Sequence, residues 1–175
     1  MDGVLPEVPN YVLCRMPRIA EALQLVNAGL DAMGRSLLLE PTAAAAWLRM
    51  QQAARDDGIE LVAVSGFRSV QRQTQIVLGK LARGMSLEEV LRFSAYPGFS
   101  EHHSGRAIDL GTPGCRYLEV EFEDTAAFAW LMQHAHEFEF SLSYPRGNEY
   151  GICYEPWHWC FRREELVRDF VGGLL

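Results

Sequence analysis

Twelve residues, Ser100 to Gly111 (SEHHSGRAIDLG), constrain this chain more than any other stretch. They set two histidines and an aspartate close together, place Gly105 between them to permit a tight turn, and continue into the strand-like run Ala107-Ile108-Asp109-Leu110. Three readings suit such a segment: a metal site, a Ser/His/Asp nucleophilic site, or a polar turn with no chemistry. The choice depends on what the rest of the chain can bring to it.

The chain of 175 residues is 49% hydrophobic and 22% charged, enough for one buried core, and a single domain is expected. A net charge of −7 with 16 dispersed basic residues excludes a nonspecific nucleic-acid surface, which needs clustered Lys and Arg. No apolar run approaches the roughly 20 residues of a membrane span. Met1 to Glu7 shows neither the basic nor the apolar region of a secretion signal, so the chain is either cytoplasmic or a form from which a leader is gone. Cys14, Cys115, Cys153 and Cys160 lack CxxC spacing, which disfavours a zinc ribbon or a thioredoxin motif and leaves buried thiols or a disulfide open.

Apolar residues Ile19, Leu23, Val26, Leu30 and Met33 fall at helical spacing and predict a helix from Arg18 to Met33. A second helix is expected from Pro41-Thr42 to Gly58, then a buried strand over Glu60–Val64. Ser69 can cap a helix to about Arg83, and Ser86 with Glu89 forms a capping-box pattern for a short helix to about Phe93. Thr125 to Phe138 reads as helix, Phe140–Ser143 and Gly151–Trp159 as strands of a hairpin turning at Tyr144–Asn148, and Arg162–Phe170 as a closing helix. Helices first and antiparallel strands later give an α+β class, with a small antiparallel sheet flanked by helices. The expected division is a helical part over 1–58, a catalytic core over 59–162 and a C-terminal helix over 163–175.

The chemistry gathers on two stretches. His102 and Asp109 come from the first, Glu155-Pro156-Trp157-His158 from the second. A catalytic zinc takes three N or O ligands and keeps a fourth position for water. His102, Asp109 and His158 fill that set and leave Glu155 as general base. Odd spacing would put Glu155 and His158 on opposite faces of an ideal strand, but Pro156 marks a bulge or strand end where the alternation resets. Arg68, at the end of a buried strand, can stabilise an oxyanion or grip a substrate carboxylate. His103 competes locally with His102 and is expected to line the pocket or support a ligand, His134 and His136 to be solvated or core-edge, Trp157 and Trp159 to wall the pocket, and Glu119–Asp124 to be a solvated face. No G-x-S-x-G elbow supports a Ser100/His/Asp triad.

Ser65-Gly66-Phe67-Arg68-Ser69, then Pro97 to Leu110, then Glu155-Pro156-Trp157-His158-Trp159 resemble, in residues and in order, the VanY-type D-alanyl-D-alanine carboxypeptidases. These are zinc peptidases that share a fold with lysostaphin and the hedgehog signalling domain. The resemblance covers roughly residues 60 to 162. It implies one zinc on His102, Asp109 and His158, Glu155 as catalytic base, Arg68 and Gln73 in contact with substrate, and Ser100 near it. The implied substrate is a peptidoglycan stem peptide or another D-Ala-D-Ala peptide losing its terminal D-alanine, which places the protein in the periplasm or cell envelope. An endopeptidase or dipeptidase with the same site, or a zinc-holding binding module without turnover, are the alternatives. Such relatives often carry an arginine ahead of the Tyr-Pro pair, where this chain has Ser141-Leu142-Ser143, and that leaves substrate preference open.

Overall fold

Capping chemistry sets the helix starts, and side-chain alternation sets the sheet. The computed structural model describes residues 4–162. In chain order its elements are α1 (Asn10–Arg15), β1 (Val26–Leu30), β2 (Ser36–Leu39), α2 (Pro41–Asp56), β3 (Val62–Ser65), α3 (Val70–Ala82), α4 (Leu87–Leu91), β4 (Ala107–Gly111), α5 (Ala126–His134), β5 (Phe140–Leu142) and β6 (His158–Phe161). The class is α+β. At α2, Pro41 opens the helix and the Glu40 carboxylate accepts the amides of Thr42 and Ala43, both at 3.1 Å. Ser69 caps α3 through the Arg72 amide at 3.0 Å, and Ser86 with Glu89 completes the expected capping box of α4.

Four strands form one antiparallel sheet in the order β3-β4-β6-β5. Alternation along β4 and β6 sends Ile108, Leu110, Trp159 and Phe161 to one face, where they join Trp47 and Met50 of α2 and Trp130 and Leu131 of α5 in the main core. Asp109 and His158 go to the other face. There a second cluster, with Val12 and Met16 from the N-terminal segment, Leu91, Ala95, Phe99, Tyr144 and Ile152, builds a wall.

Residues 18–33 do not form the expected helix. Gly29 has φ +111°, a conformation foreign to a right-handed helix, and Asp31 accepts the amides of Met33 and Arg35 at 2.9 Å to close a β1–β2 hairpin. Leu23, Leu30 and Met33 stay exposed, so their helical spacing marks no buried face. Residues 4–58 therefore combine helices with a hairpin. The strand expected over Gly151–Trp159 shrinks to His158–Phe161, because the chain turns at Glu155 and Pro156, with the His158 amide donating to the Glu155 carbonyl at 3.1 Å. β5 and β6 do pair, Phe140 opposite Phe161 and Leu142 opposite Trp159, but across a long connection rather than a tight hairpin. Helix Thr125–Phe138 is α5 followed by a 3₁₀ turn over Ala135–Phe138. The closing helix expected from Arg162 falls, beyond that residue, outside the described residues.

The hairpin bears directly on the end of β3. A Cβ built on Gly66 would lie 2.7 Å from the Leu38 carbonyl oxygen and 2.8 Å from Leu37 Cδ1. Since backbone cannot swing aside, Gly66→Ala is expected to cost about 1–3 kcal/mol of stability. Urea denaturation of the two proteins checks this, and equal midpoints would show that the hairpin gives way freely.

Candidate metal and peptidase site

The register of the sheet assembles the site. Asp109 stands directly opposite His158 in the β4–β6 pairing, both on the face away from the main core. His102 arrives from a 3₁₀ turn, Glu101–Ser104, that Gly105 ends at φ +68°, a left-handed conformation a side chain resists. His102 Nε2 lies 3.2 Å from Asp109 Oδ2, and His158 Nδ1 lies 3.1 Å from Asp109 Oδ1. All three side chains are buried, and their donor atoms lie within 4.8 Å of one another.

Backbone and carboxylate partners aim the two rings. His102 Nδ1 donates to the Gly66 carbonyl at 2.7 Å, which turns Nε2 toward Asp109. His158 Nε2 donates to Glu101 Oε2 at 3.0 Å and so presents Nδ1 to Asp109. Glu101 is in turn held by the Ser143 hydroxyl at 2.5 Å and by Arg162 at 2.9 Å. His103, the local competitor, is spent elsewhere: its Nδ1 donates to the Arg68 carbonyl at 2.6 Å and its Nε2 accepts the Gly98 amide at 3.1 Å.

Burial opposes charge on all of these groups, and the partners decide which remain charged. The charges and hydrogen bonds of His102 and His158 overcome burial at Asp109 and hold its carboxyl well below the ordinary range. Burial lowers His102. At His158 burial is outweighed by hydrogen bonds to Asp109 and Glu101, which push the imidazole up to about 10. At Glu101 burial is again overcome, by the hydrogen bond and charge of His158 and then by Ser143 and Arg162, which draw it down to about 2. Glu155 is the exception. Its carboxylate lies 3.8 Å from His158 Nδ1, and burial lifts it to about 7 against the pull of His158.

A pocket opens over these groups, lined by Arg68, Lys80, Ser100, Tyr144, Glu155 and Trp157 among others. Arg68 donates to Gln73 Oε1 at 2.9 Å and Ser65 Oγ at 3.3 Å, with one amine 3.8 Å from Asp109 Oδ2. Ser100 is among the residues that line the pocket. Gln73 does not: it is fully buried, one end of its amide holding Arg68 and the other donating to the Ala95 carbonyl at 2.7 Å. It reaches the site through Arg68. Trp159 also departs from expectation, packing on Phe128 in the main core while Trp157 walls the pocket. The four cysteines are free thiols. His134 pairs with Glu137 at the surface.

Three groups at the site carry no signal in local patterning. Glu101 sits inside the quoted motif, but its partners His158, Ser143 and Arg162 come from distant segments. Tyr144, whose ring centroid lies 4.6 Å from that of His158, and Lys80 on α3 reach the pocket only through packing.

Two ring nitrogens and one carboxylate oxygen, buried and convergent, suit a catalytic zinc, which takes three protein ligands and keeps one open position. The partners of His102 and His158 are those that orient ligating imidazoles, a carbonyl and a carboxylate. The residues present fit the ion.

Comparison with known proteins agrees with this geometry. Residues 36–164 match the family model "VanY: D-alanyl-D-alanine carboxypeptidase". YodJ of Bacillus subtilis (strain 168) is 35% identical over 119 residues, 66% of this chain and 43% of that protein. The bifunctional D-Ala-D-Ala dipeptidase and D-Ala-D-Ala carboxypeptidase VanXYC of Enterococcus gallinarum is 34% identical over 127 residues, 69% of this chain and 65% of that one. This chain thus spans between two-fifths and two-thirds of the length of these relatives. The solved LdcB LD-carboxypeptidase superposes with a TM-score of 0.73 at 30% identity, over 83% of this chain and 71% of that one. With sheet register, donor set and sequence in accord, the chain belongs to the VanY D-alanyl-D-alanine carboxypeptidase family.

Proposed function

We propose that this protein is a zinc-dependent D-alanyl-D-alanine carboxypeptidase that removes the terminal D-alanine of peptidoglycan stem peptides. The observation that carries the reading is the buried His102/Asp109/His158 donor set with the Glu155 carboxylate beside it. A zinc ion held by those three side chains would polarise the scissile carbonyl and make water a nucleophile at neutral pH. Glu155 accepts the proton of the attacking water as the C–O bond forms, then passes it to the leaving amine as the C–N bond breaks. Its environment suits a proton carrier, since a carboxyl near 7 both takes and returns a proton at neutral pH. Arg68 faces the developing oxyanion, Gln73 holds Arg68 in place, and Ser100 lines the substrate's path. Peptidoglycan lies outside the cytoplasm, so we place the protein in the periplasm or cell envelope. No helix among the described residues is long and apolar enough to cross a membrane.

Elemental analysis and D-alanine release from a stem pentapeptide test this together. About one zinc per chain is expected, with release abolished by a chelator and restored by zinc. Neither zinc nor release sinks the reading, and release only from a tetrapeptide moves the bond to that named for LdcB. Glu155→Gln should keep its zinc and lose about 10²- to 10⁴-fold in kcat, the usual weight of a general base; a variant as active as wild type would remove Glu155 from the chemistry.

The charge at His158 makes zinc entry a proton-coupled event. Its raised value means that the imidazolium contributes stability below pH about 6.5, the free-histidine value, and loses it as pH rises through about 10. At pH 8, zinc added to chelator-treated protein therefore displaces about one proton from His158. Calorimetry in buffers of different ionisation enthalpy counts it. In Glu101→Ala the count should fall and zinc affinity drop roughly ten- to hundredfold, the range for an orienting carboxylate. An unchanged count and affinity would show that Glu101 does not position His158.

A further inference from the structure

The chain contains one lysine among its 16 Lys and Arg residues, and that lysine, Lys80, lines the pocket beside Glu155 and Arg68. It shares a face of α3 with Gln73 and Ile76, so the helix that anchors Arg68 also delivers a second cation. Lys80 Nζ donates to Ser94 Oγ at 2.8 Å, and among the described residues no carboxylate lies within ion-pairing distance of it. Each other cation at the pocket has a use already. Arg68 is tied to Gln73 and Ser65 beside Asp109, and the imidazolium of His158 sits between Asp109 and Glu101.

We propose that Lys80 is a specificity-determining residue whose ammonium holds the free α-carboxylate of the substrate's C-terminal residue. This rests on the peptidase reading above. A cation set back from the scissile bond can hold that carboxylate, and with Ser94 as its hydrogen-bond partner among the described residues the Lys80 charge is left for the ligand. Lysine suits the task because its ammonium is a compact charge on a flexible stem, able to keep Ser94 and turn to a carboxylate with its remaining protons. Burial depresses Lys80, with the Glu155 charge opposing, so a bound carboxylate would relieve an existing cost.

The test compares hydrolysis of an acylated D-alanyl-D-alanine with that of the same peptide bearing a terminal carboxamide, using zinc-loaded wild type and Lys80→Met. Wild type should prefer the free acid. In Lys80→Met, KM for the acid should rise roughly ten- to hundredfold, the weight of a hydrogen bond to a charged group, while carboxamide turnover stays level. A variant that loses both peptides equally, or retains the preference, overturns the proposal and leaves Lys80 as a tie between α3 and Ser94.

A second measurement avoids mutation. Reductive ¹³C-methylation keeps the charge and gives one lysine side-chain signal, which the acid should shift and the carboxamide should not. Hydrolysis with no response of that signal to the acid sinks the Lys80 assignment alone. A response with no hydrolysis of either peptide retains the carboxylate site and sinks the carboxypeptidase reading.

Discussion

The structure turns on a buried aspartate set between two imidazoles on the inner strands of a small sheet. Asp109 lies within a strand whose neighbours Ile108 and Leu110 belong to the core, so an unpartnered carboxylate there would be costly. His102 and His158 meet it at 3.2 and 3.1 Å. The pairing requires the observed β4–β6 register, because a slip of one residue would send His158 into the hydrophobic face and Trp159 into the pocket. The register that builds the core therefore also builds the site.

Around this centre the chain uses its backbone and small side chains as a rigid support. The Gly66 carbonyl fixes the His102 ring, and the same glycine lets the β1–β2 hairpin approach to contact distance. His103 staples the loop at Gly98 to the backbone of Arg68, so two adjacent histidines do different work: one faces Asp109 and the other locks the loops that carry the pocket. Glu101 closes the far side by joining His158 to Ser143 and Arg162. Ligand orientation here is distributed over segments far apart in sequence, which is how a site keeps its geometry without a large fold.

Neighbouring carboxyls at this site are driven in opposite directions by their surroundings. Glu101 and Asp109 are buried among hydrogen-bond donors and stay ionised. Glu155 is buried with its nearest cation at 3.8 Å, and desolvation wins. A carboxyl held close to neutrality beside ionised ones is the division of labour expected of a base among ligands.

Much of this was legible in the chain itself. Caps at Ser69 and Ser86, the proline opening α2 and the apolar run at 60–64 are local signals, and the structure follows them because capping and burial act over a few residues. That His102, Asp109 and His158 could form one donor set was legible too, since their residue types, spacing and order belong to one chemistry. What local pattern could not decide was anything that depends on a distant partner. Val26–Leu30 became one strand of a hairpin because Ser36–Leu39 pairs with it, and Gln73 became a support for Arg68 because the Ala95 carbonyl meets its amide. Glu101 and Lys80 acquired their places only when β5, β6 and α3 closed around the pocket. Sequence by itself determined which groups could do the chemistry, because residue type sets donor, charge and pKa range; tertiary structure alone decided which of them meet, because burial and register are properties of the packed chain.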